Sequence, residues 1–550
     1  MTIFTRGKFH KKVERGRRGT SQQCSPPHTR MSNFSILVCV LPLTIGEPRQ
    51  FRQVRQFLID SHYSEPLVCK RLGLKNSEDY LTLRPNPSAP HEIEDRLDLV
   101  ARLFLIGEIV SEAEMRPWLP EPVLSAMSSL GVAKRYPGRP EVWYATVALY
   151  PVRGLHIVSD RWSSPELAPI EAAVDVVYPA ITVNTAHFLD SLPVDPCDAF
   201  LDLCSGSGIA ALMAASQYAR QAWSTDITVA AAHCAEFNRM LNGIENATIA
   251  RGDLFDAVSG RTFDRIVANP PYMPSLKPAQ VYAYGGELGD QMTRRIIEGL
   301  PAYLRPGGRF YCVTAGPDIE GLPFEARLRS WLGASGAQFD IFLFERRLIE
   351  TADIGLQQAA RTRGGPEEIE AWKKLFARER VEQMFYGSVL VERHKGDARP
   401  VTVRRRKGAQ LGTAQMEWLR VWETAAARPE MLERLLDSRP VAAPGFELQV
   451  THRLRDGELA PEQFTLQTRY PFDVECQIQP WAAFLIGKCD GKATARELLG
   501  FLKENELVAK DESEDQFAAF LRVLISGGFL EIDGFRVPRG PVVQFEGLTA

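Results

Sequence analysis

Two short stretches of the chain combine residue types at spacings that could do chemistry. The first, FLDLCSGSGIAALMA, begins at Phe200 and places a glycine-rich turn, Cys204–Gly208, between an apolar run and a predicted helix over Ile209–Tyr218. The second, FDRIVANPPYMPS, places the residues Asn269–Tyr272 directly after another apolar run. Glycines let a backbone approach a ligand closely, and a helix N-terminus offers free amides. Both stretches therefore predict ligand contacts at strand ends.

Acidic residues accompany the glycine turn. Asp202 lies four residues before Gly206, Asp226 ends the second predicted strand, and Asp253 follows the third. A carboxylate at Asp202 suits a sulfonium cofactor that also carries an amino group, whereas it would repel a pyrophosphate. We therefore predict S-adenosylmethionine as the cofactor, with Asp226 accepting from the ribose hydroxyls and Asp253 accepting from the adenine amine. The predicted cofactor contacts are Asp202, Cys204, Gly206, Gly208, Asp226, Ile227, Asp253, Leu254 and Asn269.

The same turn also fits a dinucleotide fingerprint. Gly206–Ala211 matches G-x-G-x-x-G/A, and Asp226 is near the spacing expected for a ribose contact. Two features disfavour a dehydrogenase: Asp202 would face a phosphate, and Asn-Pro-Pro-Tyr has no role in hydride transfer.

The Asn-Pro-Pro-Tyr stretch predicts catalysis on a planar nitrogen, whose delocalised lone pair makes it a poor nucleophile. The side chain of Asn269 and the backbone carbonyl of Pro270 can accept both hydrogens of an NH2 group and so aim the lone pair at a methyl donor. Pro271 restrains Pro270 to an extended conformation, and Tyr272 can stack on a planar group. We predict Asn269, Pro270 and Tyr272 as the catalytic residues, with no strong general base and no metal.

Strands and helices alternate around these stretches, which predicts an α/β fold with a doubly wound, Rossmann-like, mostly parallel sheet. Such sheets bind ligands beyond the carboxyl ends of their strands, where both stretches lie. The predicted strands are Phe200–Leu203, Ala222–Thr225, Thr248–Ala250, Arg265–Ala268 and Arg309–Thr314, with Gln383–Val391 and Arg399–Arg404 extending the sheet. The predicted helices between them are Ile209–Tyr218, Thr228–Leu241 and Gln291–Leu304, and a helix in YPAITVNTAHFLDSLP is expected to cover the site.

The flanking regions each show three helical segments followed by β-rich runs, which predicts winged-helix-like domains at both ends. The predicted division is a disordered extension at 1–45, a helical, winged-helix-like domain at 46–160, the catalytic domain at 176–410, a connecting region at 411–475, and a winged-helix-like domain at 476–550. The first candidate recognition helix, Glu121–Leu130, has no Lys or Arg, which favours packing or substrate recognition over DNA binding. The basic run Arg404–Lys407 is interpreted as a solvated strand end, with a phosphate-contacting patch as the alternative.

Composition sets the broad class. The chain has 550 residues, 45% hydrophobic and 24% charged, and a formal net charge of −3, so its overall charge gives no pull toward nucleic acid or an anionic membrane. Nine scattered cysteines show neither metal-ligand spacing nor a disulfide framework. No apolar run reaches the roughly 20 residues of a membrane helix. We expect a cytoplasmic protein without a membrane partner; the sequence does not specify an oligomeric state.

These stretches together resemble the class I methyltransferases of the HemK type, which methylate the glutamine amide of translation release factors, and they share Asn-Pro-Pro-Tyr with the N6-adenine methyltransferases. The segments that carry the resemblance are DLCSGSG at Asp202–Gly208, GDLF at Gly252–Phe255, FDRIVANPPYMP at Phe263–Pro274, YGGELGDQMTRRII at Tyr284–Ile297 and LRPGG at Leu304–Gly308. The resemblance implies the cofactor and acceptor roles given above. Cys204 replaces a usual glycine, Ala180 replaces a usual arginine, and the family's N-terminal recognition domain is replaced.

The favoured hypothesis is an N-methyltransferase acting on a protein glutamine or asparagine side chain, with a translation-related partner. The alternative is an N6-adenine methyltransferase acting on RNA or DNA, which needs a positive groove. A small-molecule N-methyltransferase and a non-catalytic binding protein are the remaining hypotheses.

Overall fold

The computed structural model describes residues 42–83, 92–165, 173–277, 281–396, 399–408 and 411–539. The predicted extension at 1–45 and the C-terminal end of the chain lie largely outside these ranges. Within them the chain divides into two units, one of residues 42–431 with 535–539 and one of residues 432–534.

The first unit begins with short helices and two small antiparallel sheets. Its helices are α1 (Pro48–Asp60), α2 (Glu65–Leu72), α3 (Asp79–Leu83), α4 (Arg96–Val100), which continues as a π-helical turn over Ala101–Ile106, α5 (Glu112–Met115) and α6 (Glu121–Ser129). Its strands are β1 (Val110–Ser111), β2 (Ala133–Tyr136), β3 (Arg139–Ala145), β4 (Ala148–Val152) and β5 (Leu155–Ser159). The strands pair in the order β1-β3-β2, with β4 and β5 forming a separate hairpin.

The centre of this unit is an eight-stranded sheet flanked by helices. In chain order its elements are α7 (Val183–Asp190), β6 (Cys197–Leu203), α8 (Ile209–Gln217), β7 (Ala219–Asp226), α9 (Val229–Asn242), β8 (Ala247–Arg251), β9 (Phe263–Ala268), α10 (Gln291–Tyr303), β10 (Leu304–Ile319), α11 (Phe324–Trp331), β11 (Phe339–Glu350), α12 (Thr351–Thr362), α13 (Pro366–Arg378), β12 (Val381–Arg393), β13 (Thr402–Arg406) and α14 (Thr413–Ala426). The strand order is β13-β11-β12-β10-β9-β6-β7-β8.

Most neighbouring strands of this sheet run parallel. Only β12 pairs antiparallel, with β10 on one side and β11 on the other. The five predicted parallel strands and the two predicted extensions are all present, so the prediction of a mostly parallel, Rossmann-like sheet is confirmed. The strands β6 and β9 are almost wholly buried, as expected for parallel strands covered by helices on both faces.

Capping residues explain where the helices of the site begin and end. The Thr228 side chain accepts from the amide of Ala231 and starts α9, and Gly243 ends it in a left-handed conformation. The N-terminal elements pack on α9. The side chain of Asn238 in α9 forms hydrogen bonds with the backbone of Val158 in β5, and the ring centres of Phe237 and Phe51 are 5.0 Å apart.

The second unit, described by itself, contains short helices and two small sheets. Its elements are α15 (Met431–Asp437), β14 (Val441–Ala442), β15 (Glu447–Arg455), β16 (Glu458–Thr468), β17 (Val474–Ile478), α16 (Pro480–Lys488), α17 (Ala495–Glu504), α18 (Glu514–Ser526) and β18 (Leu530–Glu531). The three predicted C-terminal helices match α16, α17 and α18. In the part of the chain that the structure describes, no helix is both long and apolar enough to span a membrane.

The basic run on β13 differs from the solvated strand end expected for it. The Arg404 side chain is only 17% exposed and pairs with Asp318, Glu325 and Glu345 at 2.9–3.1 Å. Arg405 pairs with Glu423 at 3.1 Å. Arg404 and Arg405 are therefore paired inside the protein, because β13 lies beside β11 and brings these two side chains over buried carboxylates, whereas Arg406 is 51% exposed.

Candidate active site

The glycine turn and the Asn-Pro-Pro-Tyr segment lie side by side at one edge of the sheet. The strands β6 and β9 are hydrogen-bonded neighbours, and their last residues, Leu203 and Ala268, are register partners. The turn at Cys204–Gly208 and the side chain of Asn269 therefore begin at the same level. Because both follow the carboxyl ends of parallel strands, they occupy the edge where such sheets bind ligands.

Hydrogen bonds to the neighbouring strand β7 fix the glycine turn. The amide of Ser205 donates to the carbonyl of Thr225 at 3.1 Å, and the amide of Gly206 donates to the Asp226 carboxylate at 3.0 Å. Asp226 also accepts from the amide of Thr228 at 3.0 Å. The turn is thus tied to the carboxylate predicted to bind a ribose.

The two glycines of the turn have different reasons for being glycine. Gly206 has φ +55°, and a Cβ added there would meet open space, so its backbone lies bare to any ligand above the turn. Gly208 has φ +78°, and its added Cβ would lie 2.9 Å from the Cβ of Ala235, so this glycine lets α9 pack closely. Gly206 is therefore the better candidate for direct cofactor contact.

Two other predicted cofactor contacts lie in strained backbone conformations. Cys204 has φ +54° and Leu254 has φ +51°, a left-handed region that non-glycine residues adopt rarely. Strain of this kind costs on the order of 1–3 kcal/mol per residue and concentrates at ligand sites. The replacement of the usual glycine by Cys204 is therefore not neutral for the backbone.

The acidic groups near the turn favour a cationic ligand. Asp202 is buried beneath the turn and accepts from the amide of Ala211 at 3.2 Å. Burial raises the pKa of Asp202 to about 8, with a smaller contribution from nearby Asp226, and burial also raises the pKa of Asp226. A bound sulfonium and amino group would stabilise both ionised forms. The acids therefore fit S-adenosylmethionine better than a phosphate-containing cofactor.

The remaining predicted cofactor contacts surround the same edge. Ile227 is an apolar side chain left 47% exposed, which suits an adenine or ribose face. Asp253 forms an ion pair with Arg295 at 2.8 Å, so this carboxylate already has a partner. Within the described ranges no group of three or more His, Cys, Asp or Glu side chains is placed to hold a metal ion.

The backbone of the Asn-Pro-Pro-Tyr segment is held by the loop that contains GGELGD. The amide of Met273 donates to the carbonyl of Ala283 at 2.9 Å. The amide of Ser275 donates to the carbonyl of Gly286 at 3.1 Å. Among the described residues, no group donates to the carbonyl of Pro270. That carbonyl is therefore available as the second acceptor that the sequence predicts.

Glycines in GGELGD allow this close approach. A Cβ added at Gly289, which has φ +83°, would lie 2.5 Å from the carbonyl oxygen of Tyr272, and one added at Gly285 would lie 2.7 Å from its Cα. The glycines of the HemK-like segment GGELGD thus have a packing role, because they let this loop lie directly on the backbone of Tyr272.

We expect Gly289→Ala to lower the methyl-transfer rate by at least tenfold, because the added methyl group must displace Tyr272. The matched control is Gly321→Ala, since Gly321 has a similar φ of +72° but open space around its Cβ. Steady-state kinetics and thermal melting of both variants are the measurements. Equal activity in the two variants would mean that the contact with Tyr272 does not matter.

Two further side chains reach the catalytic segment, and the sequence interpretation did not single them out. Asn184 of α7 donates from Nδ2 to Oδ1 of Asn269 at 3.3 Å. Its own Oδ1 accepts from the hydroxyls of Tyr272 at 2.9 Å and Tyr386 at 2.8 Å. Asn184 lies in the segment predicted to cover the site, so a polar residue there was a usable signal. Tyr386 lies more than a hundred residues away on β12, where no local pattern indicates it.

Comparisons with known proteins agree with this geometry. Residues 179–333 match the model of the Methyltransferase small domain family. Ribosomal protein uL3 glutamine methyltransferase of Bradyrhizobium diazoefficiens is 30% identical over 155 residues, which cover 26% of this chain and 49% of that protein. Release factor glutamine methyltransferase of Xylella fastidiosa is 37% identical over 119 residues, which cover 20% of this chain and 43% of that protein.

A solved structure similar to this chain is the ribosomal protein L11 methylase of Lactobacillus delbrueckii subsp. bulgaricus, at 20% identity and a TM-score of 0.23, covering 38% of this chain and 74% of that one. The chain spans about half the length of the curated relatives it matches. The predicted resemblance to HemK-type methyltransferases is confirmed by the family model, which matches residues 179–333, and by these relatives.

Proposed function

We propose that the chain is an S-adenosylmethionine-dependent N-methyltransferase whose acceptor is the side-chain amide of a protein glutamine or asparagine. The observation that carries this proposal is the pairing of β6 with β9, which sets the glycine turn beside Asn269 at the ligand-binding edge of the sheet. A cofactor held over the turn would thereby present its reactive end to the acceptor nitrogen.

The cofactor supplies a methyl group on a positively charged sulfur. Gly206 offers backbone with open space above the turn. Burial raises the pKa of Asp202 and Asp226 beside it, and a positively charged cofactor would stabilise their ionised forms. Asp226 already accepts from the amides of Gly206 and Thr228 and from the Thr228 hydroxyl, which leaves about one of its four acceptor positions for a ribose hydroxyl. Exposed Ile227 suits the base. The ion pair between Asp253 and Arg295 has to open or share its carboxylate if Asp253 is to accept from an adenine amine.

Asn269 and Pro270 fix the acceptor nitrogen. Oδ1 of Asn269 and the carbonyl of Pro270 accept its two hydrogens and aim its lone pair along the line of attack. With the cofactor bound, the acceptor nitrogen would form a new N–C bond as the bond between the methyl carbon and sulfur breaks, and the methylated nitrogen would release one proton to water. In-line positioning of this kind can lower the barrier by roughly 7–11 kcal/mol, so no strong base is needed.

The names of the relatives support a protein acceptor. Those named above methylate glutamine in a release factor or in ribosomal protein uL3, and a translation-related partner of this chain would place it in the cytoplasm. We propose that the flanking regions, 46–160 and 476–550, are winged-helix-like modules that recognise this partner, joined to the catalytic region at 176–410 by a connecting region at 411–475. The order of α4, β1, α5, α6, β2 and β3, paired as β1-β3-β2, supports such a module at the N-terminal side.

The alternative, N6-adenine methylation of RNA or DNA, has less support. It needs basic side chains near Tyr272, yet Arg404 and Arg405 are bound by internal carboxylates. Among the described residues, the cation near Tyr386 is Arg346, and Lys407 lies near Arg346. Two cations do not make the extended positive groove that a nucleic-acid backbone requires.

The test is transfer of a labelled methyl group from S-adenosylmethionine in a lysate separated into protein, RNA, DNA and small-molecule fractions. We expect label in the protein fraction, and in purified release factor or uL3 when these are supplied as candidate acceptors. Label confined to nucleic acid would establish the alternative. S-adenosylhomocysteine binding without label in any fraction would contradict an enzymatic role.

A further inference from the structure

We infer that Asn184 is a positioning residue of the acceptor site, and that α7 and Tyr386 complete that site together with the Asn-Pro-Pro-Tyr segment. The inference rests on the proposed function and deepens it, since it assigns a role to a helix and a strand outside the catalytic segment. Its basis is that the side chain of Asn184 contacts Asn269 and Tyr272, at the two ends of that segment, and also Tyr386 on β12.

The carboxamide of Asn184 uses one N–H donor and both lone pairs of its oxygen. Its Nδ2 donates to Oδ1 of Asn269, and its Oδ1 accepts from the hydroxyls of Tyr272 and Tyr386. An amide oxygen has two lone pairs, and here each receives a hydroxyl. A flipped amide could still donate to the two hydroxyls, which accept as well as donate, but it would set its oxygen against Oδ1 of Asn269, so the contact with Asn269 decides the orientation of Asn184.

This arrangement sets the orientation of Asn269 in turn. The donor from Asn184 occupies one lone pair of Asn269 Oδ1 and leaves the other for an N–H of the acceptor. Without that donor, Asn269 could rotate and present its own NH2 group, which would repel the acceptor. Burial raises the pKa of Tyr272 and of Tyr386, so both hydroxyls stay protonated as donors over the working pH range.

A second contact docks α7 on the same strand. His187 lies one helical turn after Asn184, and its Nε2 is 3.4 Å from Oγ of Ser388. Tyr386 and Ser388 are two residues apart on β12 and therefore lie on one face of the sheet. Burial, together with the nearby charges of Arg346 and Lys407, lowers the pKa of His187 to about 3, so this contact is made by a neutral ring.

A purely structural role predicts something different from a positioning role. If Asn184 only docked α7, its replacement would lower the melting temperature and leave the kinetic constants of the folded enzyme unchanged. If it orients Asn269, its replacement lowers kcat more than it changes KM or cofactor affinity, because the orientation matters most when the lone pair attacks.

The experiment compares Asn184→Ala, Asn184→Asp and Tyr386→Phe with the wild type, using unlabelled protein from the lysate as acceptor of the labelled methyl group and S-adenosylhomocysteine as the binding probe. We expect Asn184→Ala to lose about 10²-fold in kcat and Tyr386→Phe to lose no more than about tenfold, with unchanged binding of the probe. Tyr144→Phe on β3 is the matched control, because it removes a hydroxyl from another sheet.

The Asn184→Asp variant gives a pH signature. Its ionised carboxylate still accepts from both tyrosines but cannot donate to Asn269, whereas the protonated carboxyl can. The titratable groups around the new carboxyl are the hydroxyls of Tyr272 and Tyr386, the neutral ring of His187, and the cations Arg346 and Lys407. Burial acts to raise the pKa of this carboxyl, and the two cations act to lower it. We expect its kcat, relative to that of the wild type, to rise as the pH falls through the pKa of the new carboxyl. A flat ratio would overturn the donor role.

Hydrogen exchange supplies a readout that does not depend on turnover. Asn184→Ala should speed exchange at the amides of Met273 and Ser275, which follow the catalytic segment, and Tyr144→Phe should not. Unchanged exchange together with unchanged kcat would overturn the inference while leaving the proposed function intact. Failure of the wild type itself to transfer label would reject the proposed function, and the exchange measurement would still decide whether Asn184 holds the segment.

Discussion

Replacing Asn269 by alanine should reduce kcat for methyl transfer by about 10²–10³-fold, the usual cost of losing one aimed polar group at a reacting centre. The variant loses the oxygen that accepts from the acceptor nitrogen and also the partner of Asn184. Affinity for S-adenosylhomocysteine should fall much less than kcat, because Asn269 is one of nine predicted cofactor contacts and the glycine turn and its acids follow or lie on β6 and β7. The measurement is single-turnover transfer with a parallel titration of the probe.

The controls for this prediction separate chemistry from folding. Asn505→Ala removes an exposed amide at the end of α17 and should behave as the wild type. Asn269→Asp keeps an accepting oxygen at nearly the same place, so it should retain more activity than the alanine variant. Wild-type turnover in Asn269→Ala would locate the chemistry elsewhere.

The parts of this site that the sequence predicted are those that lie within one strand and the turn after it. The glycine turn, Asp226 and Asn269 each follow a predicted strand, and the rule that parallel strands end at one edge brings them together. Local patterns carry this information, because strand, turn and side-chain direction are set by neighbours in the chain.

The parts that the sequence did not predict depend on register between distant elements. Tyr386 reaches Asn184 only because β12 inserts antiparallel between β10 and β11, and nothing near residue 386 indicates that insertion. Gly208 had a predicted role in ligand contact, yet the structure gives it a packing reason against Ala235. A sequence shows where a glycine is, but only the tertiary structure shows which neighbouring residue leaves no room for a side chain there.

The basic run on β13 shows the same limit for charge. Four consecutive cations look like a solvated or phosphate-binding strand end, since the sequence does not show which carboxylates will face them. In the fold, β13 lies parallel to β11 and sets Arg404 over Asp318 and Glu345, with side-chain exposures of 5% and 8%. The guanidinium also lies 5.3 Å from the ring centre of Phe385. These contacts make Arg404 a part of the core of the sheet.

We therefore expect Arg404→Ala to destabilise the first unit by about 3–5 kcal/mol at pH 7, because buried carboxylates lose their counter-charge. Although burial acts to raise it, Arg404 holds the pKa of Asp318 below its ordinary value, so this stabilisation is present at neutral pH and is lost as the pH falls through the acidic range. The difference between variant and wild type should accordingly shrink as the pH falls through the acidic range, and it should vanish only below the lowered pKa that Asp318 has in the wild type.

Urea unfolding at neutral and acidic pH measures this difference. The matched control is Arg305→Ala. Arg305 pairs with Asp264 at 3.0 Å, and its side chain is 40% exposed, so its loss should lower the free energy of unfolding by no more than about 1 kcal/mol. An equal and pH-independent loss in both variants would show that Arg404 acts only through the packing of its aliphatic stem. A large loss confined to Arg404→Ala at neutral pH would establish that its charge is consumed inside the fold and is not offered to a nucleic acid.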